Sequence, residues 1–108
     1  MIERSLRMCM PDRRRCTTSK LKVNGQSVFM TVGFKDDGSI GELFVDLNKH
    51  GTFAREWAGA VGILASILLQ TGSSVRTVVR AIRNISDPSG VLEAVANELE
   101  NLGREDKQ

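Results

Sequence analysis

Lys49, His50, Gly51 and Thr52 stand together just ahead of a long apolar run, and that grouping is suited to holding an anion. A helix opening at Phe53 leaves its first backbone N–H groups unpaired and puts the positive end of its dipole there; Lys49 adds a charge, Thr52 fits the N-cap, and Arg55 stands nearby. A plain strand-to-helix turn, with Gly51 for conformation and Thr52 for the cap, accounts for the same residues. Arg13, Arg14 and Arg15 make a second cationic group, and Arg76, Arg80 and Arg83 a third, at helical spacing. Guanidinium presents a planar fork that matches phosphate oxygens. The plainer accounts are a solvated helix face for the row and, for the run, an arm laid over an acidic surface such as the last helix. Neither group has the interleaved aromatics that single-stranded nucleic acid favours.

Other chemistry is thinly represented. Cys9, Cys16 and His50 are three potential metal ligands without a second close pair, whereas structural zinc takes four in short-spaced pairs. No base is spaced to activate either cysteine as a nucleophile. Glu42 and Asp46 share one face of a strand, as a solvated sheet face would have them. Phe53 and Trp57 share one side of a helix, either as core or as an aromatic platform for a base beside a phosphate held at the helix start.

The elements that position these groups follow from period and punctuation. Residues 16–23 tolerate a strand, Asn24-Gly25 supplies the pair of positive-φ residues of a type I′ hairpin, and Val28, Met30 and Val32 alternate behind it. Asp37-Gly38 reads as a second turn of the same kind, followed by a strand over 40–47 in which Leu43, Val45 and Leu47 alternate. Phe29 and Phe44 fall out of phase with these sets and so belong to the other sheet face. Three helices follow. The first runs over 53–70, apolar nearly all round, with Gly72 past its end and Gly59 and Gly62 placed for close approach to the sheet or another helix. The second, over 75–84, sets Val75, Val78, Val79 and Ile82 opposite its arginines. The third starts with Asp87 as N-cap and Pro88, carries Val91, Leu92, Val95, Leu99 and Leu102 on one stripe, and stops at Gly103.

With 108 residues, 41% of them hydrophobic and 26% charged, the chain closes one core and has no room for a second domain. The division expected is a basic arm (1–15), one domain (16–103) and a solvated tail (104–108). The net charge of +2 does not make nucleic acid the default partner. Charge is graded along the chain, with seven bases against two acids over residues 1–22 and two against six over 87–108. The apolar run over 57–69 is shorter than the ~20 residues that span a bilayer, and the basic N-terminus never builds the apolar core of a signal peptide. A cytoplasmic chain with reduced cysteines and no membrane partner is the expectation.

The string from Met10-Pro11-Asp12-Arg13-Arg14-Arg15, through a strand pair closing on Gly33 and the Asp36-Asp37-Gly38 turn, to Gly41-Glu42-Leu43-Phe44-Val45-Asp46 and Asn48-Lys49-His50-Gly51, resembles the TSCPD domain. That module occurs near the C-terminus of cobalamin-dependent ribonucleotide reductases and as short independent proteins, many of them phage-encoded. The Cys-Pro pair that names the family is replaced here by Met10-Pro11, flanked by Cys9 and Cys16. Nothing resembles the reductase barrel, its radical-generating cysteine or its cobalamin site, so the resemblance implies an accessory domain that brings no catalytic residue and no cofactor.

The expectation is therefore an α+β domain of order βββααα, a three-stranded antiparallel sheet with helices on one face. Phe29 and Phe44 on the opposite face predict a homodimer or higher assembly, in which burial of each ring contributes about 2 kcal/mol. The expected activity is non-catalytic binding of a nucleotide or other phosphate ligand by Lys49, His50, Gly51, Thr52 and Arg55, with Arg13, Arg14, Arg15, Arg76 and Arg80 contributed across a subunit boundary. Such a protein regulates a reductase or sequesters a nucleotide. A protein-interaction module without a small ligand, and a non-catalytic part of a ribonucleoside-diphosphate reductase complex, are the competing readings.

Overall fold

Asn24 and Gly25 both take positive φ, 51° and 80°, and so make the type I′ turn that matches strand twist. They join β1 (Cys16–Val23) to β2 (Gln26–Phe34) in an antiparallel ladder from Val23 opposite Gln26 to Cys16 opposite Gly33. β3 (Ile40–Leu47) pairs antiparallel with β2, giving the sheet order β1-β2-β3. The computed structural model describes residues 10, 12–47, 53–86 and 90–106, with side chains for all of these except 53–55 and 104–106.

The second turn differs from the expectation. Only Gly38 has positive φ, 90°, and Asp37 does not, so the connection is a wider loop rather than a second type I′ hairpin. The Gly38 N–H donates to the Lys35 carbonyl at 3.0 Å, the Lys35 N–H donates to the Ser39 carbonyl at 2.7 Å, and the register slips between Gly33 and Phe34. The Asp37 carboxylate accepts from both the Ser39 N–H (2.9 Å) and its hydroxyl (2.6 Å). These local bonds satisfy the loop without the mirror-image turn.

Alternation then sorts the two faces. Val28, Met30, Val32, Leu43, Val45 and Leu47 are buried on the inner face, and Thr18, Lys20, Phe29, Thr31, Phe44 and Asp46 lie on the outer one. Phe44 is exposed, as expected, whereas Phe29 is half-buried with the Lys20 ammonium 5.8 Å from its ring.

Helix α1 (Phe53–Gln70) covers the free edge of β3 as well as part of the inner face. Ser66 Oγ accepts from the Leu43 N–H at 2.8 Å and lies 3.1 Å from the Leu43 carbonyl, and Gln70 Nε2 donates to the Gly41 carbonyl at 3.0 Å. Buried helix side chains thus bond to backbone groups that an exposed edge would leave to a stray strand. Gly62 permits the approach: a Cβ there would lie 2.9 Å from the Leu43 carbonyl oxygen. Gly59 meets nothing within 4 Å among the described residues, so of the two glycines expected at a close contact only Gly62 makes one there.

Gly72, at φ 105°, turns the chain into α2 (Val75–Arg83), which Ser74 caps by accepting from the Thr77 N–H at 3.1 Å. Val78, Val79 and Ile82 are buried against α3 (Val91–Asp106), whose Val91, Leu92, Val95, Ala96, Leu99 and Leu102 complete the core. The Ser19 hydroxyl of β1 bonds to Glu98 of α3 at 2.5 Å. Gly103 does not stop α3, which continues through the first residues of the expected tail. Its missing side chain serves packing, since a Cβ would lie 2.9 Å from Val75 Cγ1. Thr52, Asp87 and Pro88 lie outside the described residues. Among the described residues no helix is long and apolar enough to cross a membrane.

Candidate functional site

The arginine run is tied to the sheet by its own alternation. Arg15 extends β1 by accepting from the Phe34 N–H at 3.0 Å, and its guanidinium lies 4.5 Å from the Phe34 ring. Arg14 grips Glu42, Nε to Oε1 and Nη2 to Oε2, the second bond at 3.2 Å. The two parallel bonds form a bidentate pair. Glu42 is therefore buried and not on a wet sheet face as the sequence suggested, because Gly33, directly opposite on β2, leaves the space its carboxylate fills. The bond to Glu42 raises the pKa of Arg14 still further, so its charge is permanent. Among the described residues, the run docks on β2 and β3 rather than on acidic α3.

Held this way, Arg13, Arg14 and Arg15 line a cleft of about 270 Å³ with Phe34, Lys35, Asp36 and Gly38. A second cleft of about 360 Å³ adjoins it across Lys35 and Gly38, with Ile40, Leu69 and Val75 among its apolar walls and Ser73 and Ser74 at the start of α2. The Lys35 ammonium donates to the Leu69 carbonyl at 2.9 Å, which places a cation at the boundary of the two clefts. Lys35 was not among the expected site residues. Its signal in the sequence is register alone: the β2–β3 loop must fall at the sheet end where β1 begins, beside the arginines.

The loop between them carries a pH-sensitive bond. Ser39, through its hydroxyl and N–H, holds the Asp37 carboxyl below its ordinary pKa. A depressed folded pKa means a stabilising contribution that is complete above the unfolded value, about 3.9, and is lost as pH falls through the folded one. The Ser39 amide resonance should titrate with a midpoint below that of an ordinary aspartate, and Asp37→Ala should abolish the transition.

The expected anion turn, Lys49, His50, Gly51 and Thr52, lies outside the described residues, as does the Arg55 side chain. β3 leads into it from Leu47, which pairs with Val28 near the first hairpin turn, whereas the arginine run enters opposite Gly33 and Phe34. An eight-residue strand at about 3.4 Å per residue separates these ends by roughly 24 Å. Arg76 and Arg80 are exposed on α2 and line neither cleft, while Arg83 donates to Asn97 at 2.7 Å and lies 3.5 Å from Glu100. Among the described residues no group of three His, Cys, Asp or Glu side chains is placed to hold a metal, and Cys16 is exposed and unbridged. Trp57, read as core or as an aromatic platform, is 44% exposed.

A three-stranded meander edged by one helix and roofed by two, with basic clefts at one end, defines a small α+β domain. The TSCPD domain model matches residues 4–102, and the chain belongs to that family. It is similar to the vitamin B12-dependent ribonucleotide reductase of Bradyrhizobium diazoefficiens, 41% identical over 63 residues covering 58% of this chain and 5% of that protein. The enzyme of the same name from Agrobacterium fabrum is 33% identical over 85 residues, 78% of this chain and 7% of that one. The counterpart in Rhodopirellula baltica is 30% identical over 70 residues, 65% and 7% of the two chains. The chain thus spans only a small part of the length of these relatives. No solved structure matches it.

Proposed function

We propose that this chain is a non-catalytic, self-associating accessory domain that binds a phosphate-bearing ligand, a nucleotide by preference, in the service of a ribonucleotide reductase. The observation that carries the reading is the pair of adjoining clefts at the sheet end. Arg13, Arg15 and Lys35 surround the smaller one, suited to phosphate oxygens, while Ile40, Leu69 and Val75 give the larger one an apolar wall on which a base rests. Lys35 stands between them, where a nucleotide's phosphate meets its nucleoside. The anchored Arg14 positions its neighbours rather than the ligand. Lys49, His50, Gly51 and Thr52, expected to join the same anion site across a subunit boundary, lie outside the described residues.

The relatives support this role, because the segment matched is a minor part of enzymes named for acting on ribonucleotides. Thermal-shift measurements with nucleoside mono-, di- and triphosphates, cyclic nucleotides and inorganic pyrophosphate test it. A ligand at 100 times its dissociation constant should stabilise the fold by about 2.7 kcal/mol. Lys35→Ala and Arg13→Ala should each weaken binding roughly tenfold, in line with loss of one charge-assisted bond; Arg13→Ala should leave the ligand-free melting temperature nearly unchanged, whereas Lys35→Ala, which also loses its bond to the Leu69 carbonyl, should lower it. A flat screen removes the ligand and leaves the protein-interaction reading.

A further inference from the structure

Ile63, Leu64, Ile67 and Leu68 are 63%, 62%, 36% and 39% exposed in the middle of α1, a degree of exposure that chain folding alone does not explain. With Trp57 they leave roughly 500 Å² of mostly apolar surface on one helix, at the upper end of what a monomer ordinarily shows. The spacing within it is regular. Trp57, Ala60, Leu64, Ile67 and Thr71 are exposed at intervals of three, four, three and four residues, the heptad seam of a helix that packs against another helix. The polar atom in the seam is satisfied internally, since the Thr71 hydroxyl lies 3.0 Å from the carbonyls of Ile67 and Leu68.

We infer that the outer side of α1 is the interface between two copies of this chain, paired antiparallel about a two-fold axis at Leu64. This rests on the self-associating half of the function proposed above and is independent of its ligand half. Two properties select a second copy as the occupant. Between Trp57 and Thr71 the helix has no charged residue, so the seam meets itself without like-charge repulsion and offers nothing to a charged groove. Complete burial of these side chains in both copies removes about 1,000 Å² in total, which just reaches the lower bound for a specific interface.

Antiparallel pairing opposes the two helix dipoles and keeps one Glu56 away from the other. Leu64 is the midpoint of the stripe from 57 to 71, so in an isologous pair it meets its own counterpart. The same symmetry sets the start of one α1 beside the end of the other. The sheet ends that a single chain holds apart, one carrying the arginine clefts and the other leading into α1, then come together in the pair.

Sedimentation of the full chain is the test, with ligand binding followed separately so that the two halves of the reading stand or fall alone. The wild-type chain should sediment at twice its 11.9 kDa mass at tens of micromolar. Leu64→Glu should raise the dimer dissociation constant roughly 100-fold, as loss of a central anchor does, with the far-ultraviolet circular dichroism unchanged. In a background with Cys9→Ser and Cys16→Ser, Leu64→Cys should form a disulfide-linked dimer on mild oxidation and Trp57→Cys should not. A wild-type monomer, a Leu64→Glu variant that still pairs, or a cross-link through Trp57→Cys would each overturn the arrangement.

Discussion

Gly62→Ala should lower stability by about 1–3 kcal/mol, while Gly59→Ala, three residues away on the same helix, should raise it by about 1 kcal/mol. Both substitutions bring the same gain in helix propensity, because each removes a flexible residue from a helix interior. What separates them is the space each new methyl enters. At Gly62 the Cβ lies 2.9 Å from the Leu43 carbonyl oxygen and 3.6 Å from the Phe44 Cα, both backbone atoms of β3 that have no rotamer to change. Relief requires α1 to draw back from the strand. That motion lengthens the Ser66 bonds to Leu43 and the Gln70 bond to Gly41, so buried polar groups lose geometry together with the packing of Ala58, Val61, Ala65 and Leu69. At Gly59 nothing among the described residues lies within 4 Å. Urea unfolding at one fixed protein concentration, so that self-association does not shift the midpoints, measures both. Equal effects of the two variants would mean that α1 does not sit against β3 by its glycine.

Some elements were legible because one local signal decides them. Asn24-Gly25 has a single economical conformation between two alternating runs, and the strands on either side inherit their register from it. The valines and isoleucine of α2 face one way because no other arrangement buries them. The loop at Asp37-Gly38 shows the limit of the same reasoning: the dipeptide fits a two-residue turn, but Asp37 bonding to Ser39 stabilises a longer one equally well, and only the slip at Phe34 tells them apart. Gly103 looked like a terminator for a related reason. Glycine is read as a stop where nothing indicates a neighbour, and its neighbour, Val75, stands 28 positions earlier in the chain.

The candidate site was legible by residue type and not by arrangement. Three consecutive arginines announce positive charge, but strand alternation gives them different partners: Arg14 turns to Glu42 and Arg15 to Phe34, while Arg13 lines the cleft without a partner among the described residues. Composition contains no trace of that division. Lys35 escaped notice because it belongs to a loop whose nearness to the run depends on the pairing of Cys16 with Gly33, a long-range fact. The exposed side of α1 was visible as excess hydrophobicity, yet which half of the helix meets the sheet is settled only by Ser66 and Gln70 reaching the edge of β3.

Glu42→Ala should lower the melting temperature by about 5–10 °C and weaken phosphate binding roughly tenfold, although Glu42 touches neither cleft. The carboxylate is buried at 5% exposure, and removing it leaves the Arg14 guanidinium beside a void in the sheet surface that Gly33 cannot fill. Arg14 then turns to solvent, and with it goes the fixed point between Arg13 and Arg15. Arg13 keeps its charge but loses its placement, while Arg15 is still held by Phe34, so binding falls through ordering entropy rather than through loss of a contact. Gly33→Ala should act in the same direction by the opposite route, since its Cβ would lie within 3 Å of the Glu42 carboxylate and push it off Arg14. Charge loss and loss of order are separable by salt. Lys35→Ala removes a cation and should flatten the ionic-strength dependence of binding, whereas Glu42→Ala removes an anion and should leave that dependence at least as steep while the affinity drops. Isothermal titration of inorganic pyrophosphate at two salt concentrations distinguishes these outcomes. Tighter binding in Glu42→Ala would mean that Glu42 acts on the ligand as a repelling charge and that the anchoring role assigned to the Arg14 pair is wrong.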